Sequence, residues 1–288
     1  MANLKDIRSR INSVGSTMQI TNAMKMVSAA KLKRAQDAIT AMRPYSEKLT
    51  ELLQNLSASL EGDSGSVYAE QREIKKVLVI LITSNRGLAG AFNSNAIRRA
   101  KELAETKYLG KEIDYLTIGK KGNDILSKSS YIILNNNEIL DDLTFENTAE
   151  IAEYLMDLFV DATYDKIDIV YNSFRNAANQ VIVTETFLPI ENESSDLEQE
   201  VELDYIYEPS KEEIIKELIP KSLKTQLFKA LRDSVASEHG ARMTAMHKAT
   251  DNAQELRDEL VLQYNKARQA AITAEILEIV GGAEALAG

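Results

Sequence analysis

Between Pro220 and Gly281 only one residue, Gly240, could interrupt a regular backbone. A stretch like that cannot be cut into the short strands of an all-β fold, which needs a turn every ~8–12 residues. The first 61 residues are alike, holding only Gly15 and Pro44. The whole chain of 288 residues carries 12 Gly and 4 Pro, where average usage of ~7% and ~5% would give about 20 and about 14. Both ends of the chain therefore read as long helices.

Their periodicity says what those helices pack against. Leu4, Ile7, Ile11, Val14 and Met18 are spaced 3, 4, 3, 4, the seam of a coiled coil. Beyond Met18 the apolar pattern predicts a slipped frame through Met24, Lys31, Ala35, Ala38, Met42, Tyr45, Leu49, Leu52 and Leu56. Pro44 removes a hydrogen bond inside this run and predicts a kink or brief break. At the other end, Met246, Ala249, Ala253, Leu256, Leu260, Gln263, Ala267, Ala270, Ala274 and Leu277 keep the alternation for over four heptads. Leu223, Leu227 and Leu231 carry the helical signal back to Pro220, a suitable helix start, and Gly281-Gly282 predict the stop. About 60 residues at ~1.5 Å each make a rod of roughly 90 Å. A rod of that length needs a partner, and the N-terminal segment is long enough to be one. An antiparallel coiled coil follows, because a whole domain can join the two helices at one end. Alanine along the seam from Ala249 to Ala274 predicts a slim shaft, although an ordinary Ala-rich bundle fits the same periodicity.

The middle reads as α/β. Lys75–Thr83 predicts a buried strand, followed by the turn Ser84–Phe92 and a helix over 93–105. Further strands are expected at 113–118, 131–134, 167–174 and 180–188, with helices at about 122–127 and 146–163. Alternation of strands with helices of that length predicts a mostly parallel sheet. Six carboxylates between Glu191 and Glu202, with no base among them, mark an exposed acidic loop. Leu203–Tyr207 predicts a last short strand, and 211–218 a connecting helix. The chain thus divides into an N-terminal coiled-coil helix (1–61), a central α/β domain (70–210), and a connecting plus C-terminal coiled-coil helix (211–288).

Catalytic patterns are missing. The glycines of the first strand–turn–helix, Gly87 and Gly90 in R-G-L-A-G-A, match neither G-x-G-x-x-G nor G-x-x-x-x-G-K-[ST], so a structural turn is expected there rather than a nucleotide site. His239 and His247, the only histidines, are eight apart on one helix, too far to chelate one metal as an i, i+4 pair, and both are expected to be exposed. No G-x-S-x-G elbow occurs. Met18, Met24, Met26, Met243 and Met246 suit either helix core or an adaptable contact surface. With no Cys there is no thiolate chemistry and no disulfide. No catalytic, cofactor or metal residue is assigned.

Charge points to partners. A net charge of −10 opposes nucleic-acid binding. Yet residues 1–43 carry eight basic against two acidic residues, a local +6 that leaves −16 for the rest. That suits either a solvated helix face or docking against an acidic partner. The longest apolar run, Val77–Thr83, is far short of the ~20 residues that span a bilayer, and MANLKDIRSRIN lacks a signal-peptide core, so a reducing cytoplasmic location is expected. From the residues alone, the chain reads as a lever, spacer or axle, and a coiled-coil adaptor with a non-catalytic α/β domain is the rival reading.

Several blocks then resemble one family. Ile20-Thr-Asn-Ala-Met-Lys-Met-Val27, Ser84-Asn-Arg-Gly-Leu-Ala-Gly90, Ser237-Glu-His-Gly-Ala-Arg-Met-Thr-Ala-Met246 and Tyr264-Asn-Lys-Ala-Arg-Gln-Ala-Ala-Ile-Thr273 are similar to the γ subunits of F-type ATP synthases of bacterial type. The resemblance covers essentially the whole chain. It implies an antiparallel coiled-coil shaft on a Rossmann-like domain that binds no nucleotide. The implied partners are three α and three β subunits around the shaft, and the ε subunit and c-ring at the foot. The resemblance also implies a complex on the cytoplasmic face of the inner membrane, with the chain peripheral and non-catalytic. It further implies that Arg268, Gln269 and Thr273 bond a loop of β, that Met24, Lys25 and Arg242 face the acidic lever of β, and that Tyr205, Tyr207 and Glu208 meet ε and c. Lys25 stands where some relatives carry Glu, which alters the local charge pairing. The dithiol insertion of the chloroplast form is absent.

Overall fold

Helix α1, Leu4–Ala58, runs unbroken for 55 residues in a computed structural model that describes residues 4–58, 67–190 and 211–287. Pro44 lies inside it, so the expected break does not occur. Ile39 and Leu49 are buried on either side of the proline, and helix-favouring neighbours carry the backbone through the one missing donor. The expected slip of the seam does not occur either. The 3, 4 spacing continues past Met18 through Thr21, Lys25, Ser28, Leu32, Ala35, Ile39, Met42, Ser46 and Leu49, all buried or half-buried, while Lys31 and Tyr45 of the slipped frame are exposed. Small hydroxyls and the stem of a lysine occupy the seam where apolar residues lapse.

Helix α5, Lys211–Ala287, is a single element of 77 residues. Pro220 is therefore interior rather than a start, and no separate connecting helix precedes it. An interior proline costs about 3 kcal/mol. Burial of Ile219 and Leu223 beside it, at about 1.5–3 kcal/mol each, offsets that. Nor does the helix stop at Gly281-Gly282, which continue it with open space where a Cβ would stand.

Five strands follow one another in the order β3-β2-β1-β4-β5. β1 is Lys76–Ile82, β2 Glu112–Ile118, β3 Ile132–Asn136, β4 Lys166–Phe174 and β5 Gln180–Leu188. The first four in that order pair in parallel, and β5 pairs antiparallel with β4 as a hairpin. β1 sits at the centre and reads Val-Leu-Val-Ile-Leu-Ile because both its faces are covered. One face packs on α2, Phe92–Glu105, through Ala96, Ile97, Ala100 and Leu103, with the short α3, Lys120–Leu126, adding Leu126. The other packs on α4, Phe145–Val160, and on α5 through Leu223, Leu227 and Leu231. Phe145 and Phe228 meet edge to face with centroids 5.7 Å apart. Two buried carboxylates are each held by a tyrosine and a lysine. Asp114 takes Tyr164 Oη–H at 2.8 Å and Lys76 Nζ at 3.1 Å; Asp168 takes Tyr108 Oη–H at 2.5 Å and Lys107 Nζ at 3.2 Å.

The chain forms two units. One comprises Met1–Ser28 and Arg242–Gly288, the other Ala29–Ala241.

Candidate functional site

In a parallel sheet the natural ligand crevice lies beyond the C-terminal ends of the strands where connections diverge, here β1 and β4. The turn after β1 fills that position with groups that bond to one another. Thr83 Oγ1 accepts the Gly122 N–H at 2.9 Å. The Ser84 N–H donates to Asn93 Oδ1 at 2.9 Å, and Ser84 Oγ donates to the Arg86 carbonyl at 2.6 Å. Asn85 accepts the Lys120 N–H at 3.1 Å and donates through Nδ2 to the Asn137 carbonyl at 2.8 Å. Gly119 has φ +104, and a Cβ there would stand 2.2 Å from the Thr83 carbonyl oxygen, so β1 and the start of α3 touch backbone to backbone. The amides of Ser84, Lys120 and Gly122 and the hydroxyls of Thr83 and Ser84 are thus bonded within the turn. Gly90 takes a left-handed φ of 58 there, beside Leu88 at φ 64.

The other candidate surface is the coil of the first unit. Thr21 Oγ1 and Thr250 Oγ1 lie 2.8 Å apart. Each also reaches a carbonyl of its own helix, Met18 at 3.0 Å and Met246 at 2.8 Å. Two hydroxyl protons serve these three contacts, so one hydroxyl faces across while the other turns back. An antiparallel register through that pair sets Met18 opposite Ala253, Ile11 opposite Leu260, and Leu4 opposite Ala267. Ala253 and Leu260 are buried accordingly. Among the described residues, every residue from Arg268 through Ala285 is exposed, past the point where Leu4 of α1 stands opposite Ala267. The seam expected at Ala270, Ala274 and Leu277 is therefore uncovered, and Leu256 and Gln263 also face outward.

Sequence expectations for single residues divide along this boundary. Arg268, Gln269 and Thr273 stand together, exposed, just past the end of the paired coil; the Thr273 hydroxyl donates to the Gln269 carbonyl at 2.9 Å. Met24 and Lys25 are half-buried on α1, and Arg242 is only 8% exposed. Tyr205, Tyr207 and Glu208 lie outside the described residues, as does the strand expected at 203–207. His247 is exposed and sits 3.4 Å from Asp251, whereas His239 is half-buried and not exposed as expected, since its turn of α5 packs within the second unit. The methionines split too: Met246 is buried and Met26 is 65% exposed.

One outward feature escaped the sequence reading. Ile20, Met26 and Val27 are all more than half exposed, with Ala23 also exposed between them. They form an apolar stripe at 20, 23 and 27 on the side of α1 turned away from its seam. Its signal in the sequence is a second helical periodicity, Ile20, Ala23 and Val27, beside that of the seam.

Comparison with known proteins agrees with this arrangement. The ATP synthase family model matches residues 3–286. The chain is 69% identical to the ATP synthase gamma chain of Christiangramia forsetii and 68% to that of Flavobacterium psychrophilum, each over the full length of both chains. Its fold is that of a chain in the mitochondrial ATP synthase of Euglena gracilis, resolved with OSCP, F1 and c-ring: TM-score 0.73, 24% identity, covering 98% of this chain and 94% of that one.

Proposed function

The chain belongs to the ATP synthase gamma chain family, and on that premise we propose that it is the central rotor shaft of an F-type ATP synthase, coupling ion flow through the membrane sector to ATP synthesis or hydrolysis in a ring of α and β subunits. The observation that carries this reading is the bare end of α5. Ile272, Ile276, Leu277, Ile279 and Val280 are each 49–66% exposed among the described residues. Ile272, Ile276, Ile279 and Val280 follow an i, i+4, i+7, i+8 spacing that gathers them on one exposed face of the helix. Such a face calls for cover from outside the chain, and a sleeve of surrounding subunits supplies it.

The chain itself is non-catalytic in this reading. The turn after β1 supports it: it carries neither phosphate-binding glycine pattern, and Thr83, Ser84, Asn85 and Asn93 commit their side chains to bonds within it. Work is done instead by asymmetry. One shaft inside a ring of three equivalent sites touches each differently, so the sites acquire unequal nucleotide affinities, and rotation permutes them. Thermodynamically the shaft is a ligand that favours different conformations of β at different angles.

Roles follow the three-part division of the chain at 1–61, 70–210 and 211–288. Arg268, Gln269 and Thr273 bond a loop of β where α5 emerges from the coil. Met24 and Lys25 face the acidic lever of β, with Arg242 reaching that surface only by its edge. Tyr205, Tyr207 and Glu208 meet ε and the c-ring. No helix among the described residues is long and apolar enough to cross a membrane, so attachment to the cytoplasmic face of the inner membrane runs through those partners.

Two experiments test this. The chain should co-purify with α, β, ε and c from detergent-solubilised membranes; its absence from that complex would overturn the reading. Arg268→Ala with Gln269→Ala should lower ATP-driven ion pumping several-fold and leave the α/β ring intact. Unchanged pumping would remove those two residues from the contact.

A further inference from the structure

The bond between α5 and the β4–β5 hairpin changes character along the helix. Up to Leu231 the helix lies on the sheet through aliphatic side chains, with Ile219, Leu223, Leu227 and Leu231 in the core. Such a surface holds a helix close but resists rolling and sliding only weakly, because its contacts are non-directional. A second stripe, Gln226, Asp233 and Gly240, recurs every seven residues on α5, and a seven-residue step returns almost to the same helix face. Each member meets the hairpin at a different height. Gln226 Nε2 donates to the Thr186 carbonyl on β5 at 3.2 Å. Asp233, 7% exposed, accepts from Ser173 Oγ on β4 at 3.2 Å and from the Phe174 N–H. At Gly240 a Cβ would stand 3.1 Å from the Ala177 carbonyl oxygen at the hairpin tip, so the tip sits directly against the helix backbone.

Asp233 is the directional centre of this stripe. The cations facing it are Lys229 from its own helix and Arg43 from α1; Tyr171 and Glu185, bonded to each other at 2.6 Å, lie on the neighbouring strands. Burial raises its carboxyl above the ordinary value, against the opposing pull of Ser173, Lys229, the Phe174 N–H and Arg43. A residue buried at that cost is not what simple packing would select, and the best-attested use of a buried polar group is to fix register.

We propose that Asp233 is a positioning residue for the rotary reaction: with Gln226 and Gly240 it locks α5 to the β4–β5 hairpin against rolling about its own axis, so that torque passes between sheet and shaft without slip. The inference rests on the rotor reading and adds to it the joint through which the load is carried. Without the lock the helix would stay docked on its aliphatic face but yield under load.

The test uses the assembled complex, with this chain supplied to membranes whose own copy has been deleted. Wild-type chain should restore both ATP hydrolysis and ATP-driven ion pumping; failure of the wild type to do so would overturn the rotor reading itself. Asp233→Leu keeps a buried aliphatic contact and removes the lock. It is expected to assemble and hydrolyse ATP within about twofold of wild type while pumping per ATP falls at least threefold. Ser173→Ala, which removes only the donor, should give a smaller fall of the same kind, and Asp233→Asn, which keeps an acceptor for Ser173, should restore most of the ratio. A wild-type pumping-to-hydrolysis ratio in Asp233→Leu and Ser173→Ala would overturn the proposal. So would parallel loss of both activities in Ser173→Ala with lowered thermal stability, the mark of a merely structural role.

Discussion

The two ends of α5 belong to one uninterrupted helix and have opposite relations to the rest of the chain. Between Ile219 and Gly240 it is enclosed by its own protein, with aliphatic residues under the sheet and polar ones under the hairpin. Between Arg268 and Ala285 every residue is exposed among the described residues. Leucine occurs at both ends, buried completely at 227 and 66% exposed at 277. The difference lies not in local composition but in what each end has beside it. The first end is stabilised by folding, the second by assembly, and substitutions should tell the two apart.

The largest expected effect is at the enclosed end. Leu227→Ala should destabilise the isolated chain by about 2–5 kcal/mol in denaturant unfolding; a loss under 1 kcal/mol would show that α5 is not held by its sheet face. In the paired coil, Thr250→Val removes the cross-helix contact and leaves the Thr21 hydroxyl only its own Met18 carbonyl, which should cost about 0.5–1.5 kcal/mol, while Thr21→Val with Thr250→Val together should come back close to wild type. If the double variant were as unstable as the single, the contact at 2.8 Å would not be what joins the helices there. At the bare end, Gly281→Ala should stabilise the helix by about 1 kcal/mol, since space is open around it, read as slower amide exchange in the last turns. A signed effect concerns Asp233. Its folded value lies above its unfolded one because of burial. Its contribution to stability is therefore complete below the ordinary carboxylate range and is lost as pH rises through the raised value. Asp233→Asn should flatten that part of the stability–pH curve; an unchanged slope would mean that the carboxyl is solvated. The smallest effect is Leu277→Ala, expected to change the stability of the isolated chain by less than about 0.5 kcal/mol, although the same change should weaken the assembled complex.

Much of this architecture is legible in the residues, and the failures share a cause. The strands and short helices of the sheet carry strong local signals, and β1 could hardly be anything but a central strand. The coil was harder where packing does not need apolar groups. Thr21, Lys25 and Ser28 lie on the seam yet look like surface, so the frame seemed to slip when it did not. Pro44, Pro220 and the Gly281-Gly282 pair look like boundaries, but a propensity of a few kcal/mol yields to burial on either side or to the continuity of a long helix. Leu256 and Leu277 fit the heptad and are exposed, because periodicity shows where a seam would lie and not how far its partner extends. The Gln226–Asp233–Gly240 stripe was invisible for the opposite reason: a glutamine, an aspartate and a glycine share no property until the hairpin beside them is known.

The unslipped seam of α1 has a mechanical consequence. A repeat of 3.5 residues on helices that prefer 3.6 winds the pair to the left. A wound pair is chiral, and its response to twist is not the same in the two senses. Turning with the winding tightens the strands on each other and presses Thr21 toward Thr250; turning against it opens the same contact. For a shaft that turns, the hand of that winding decides which sense of rotation would close the Thr21–Thr250 contact and which would open it.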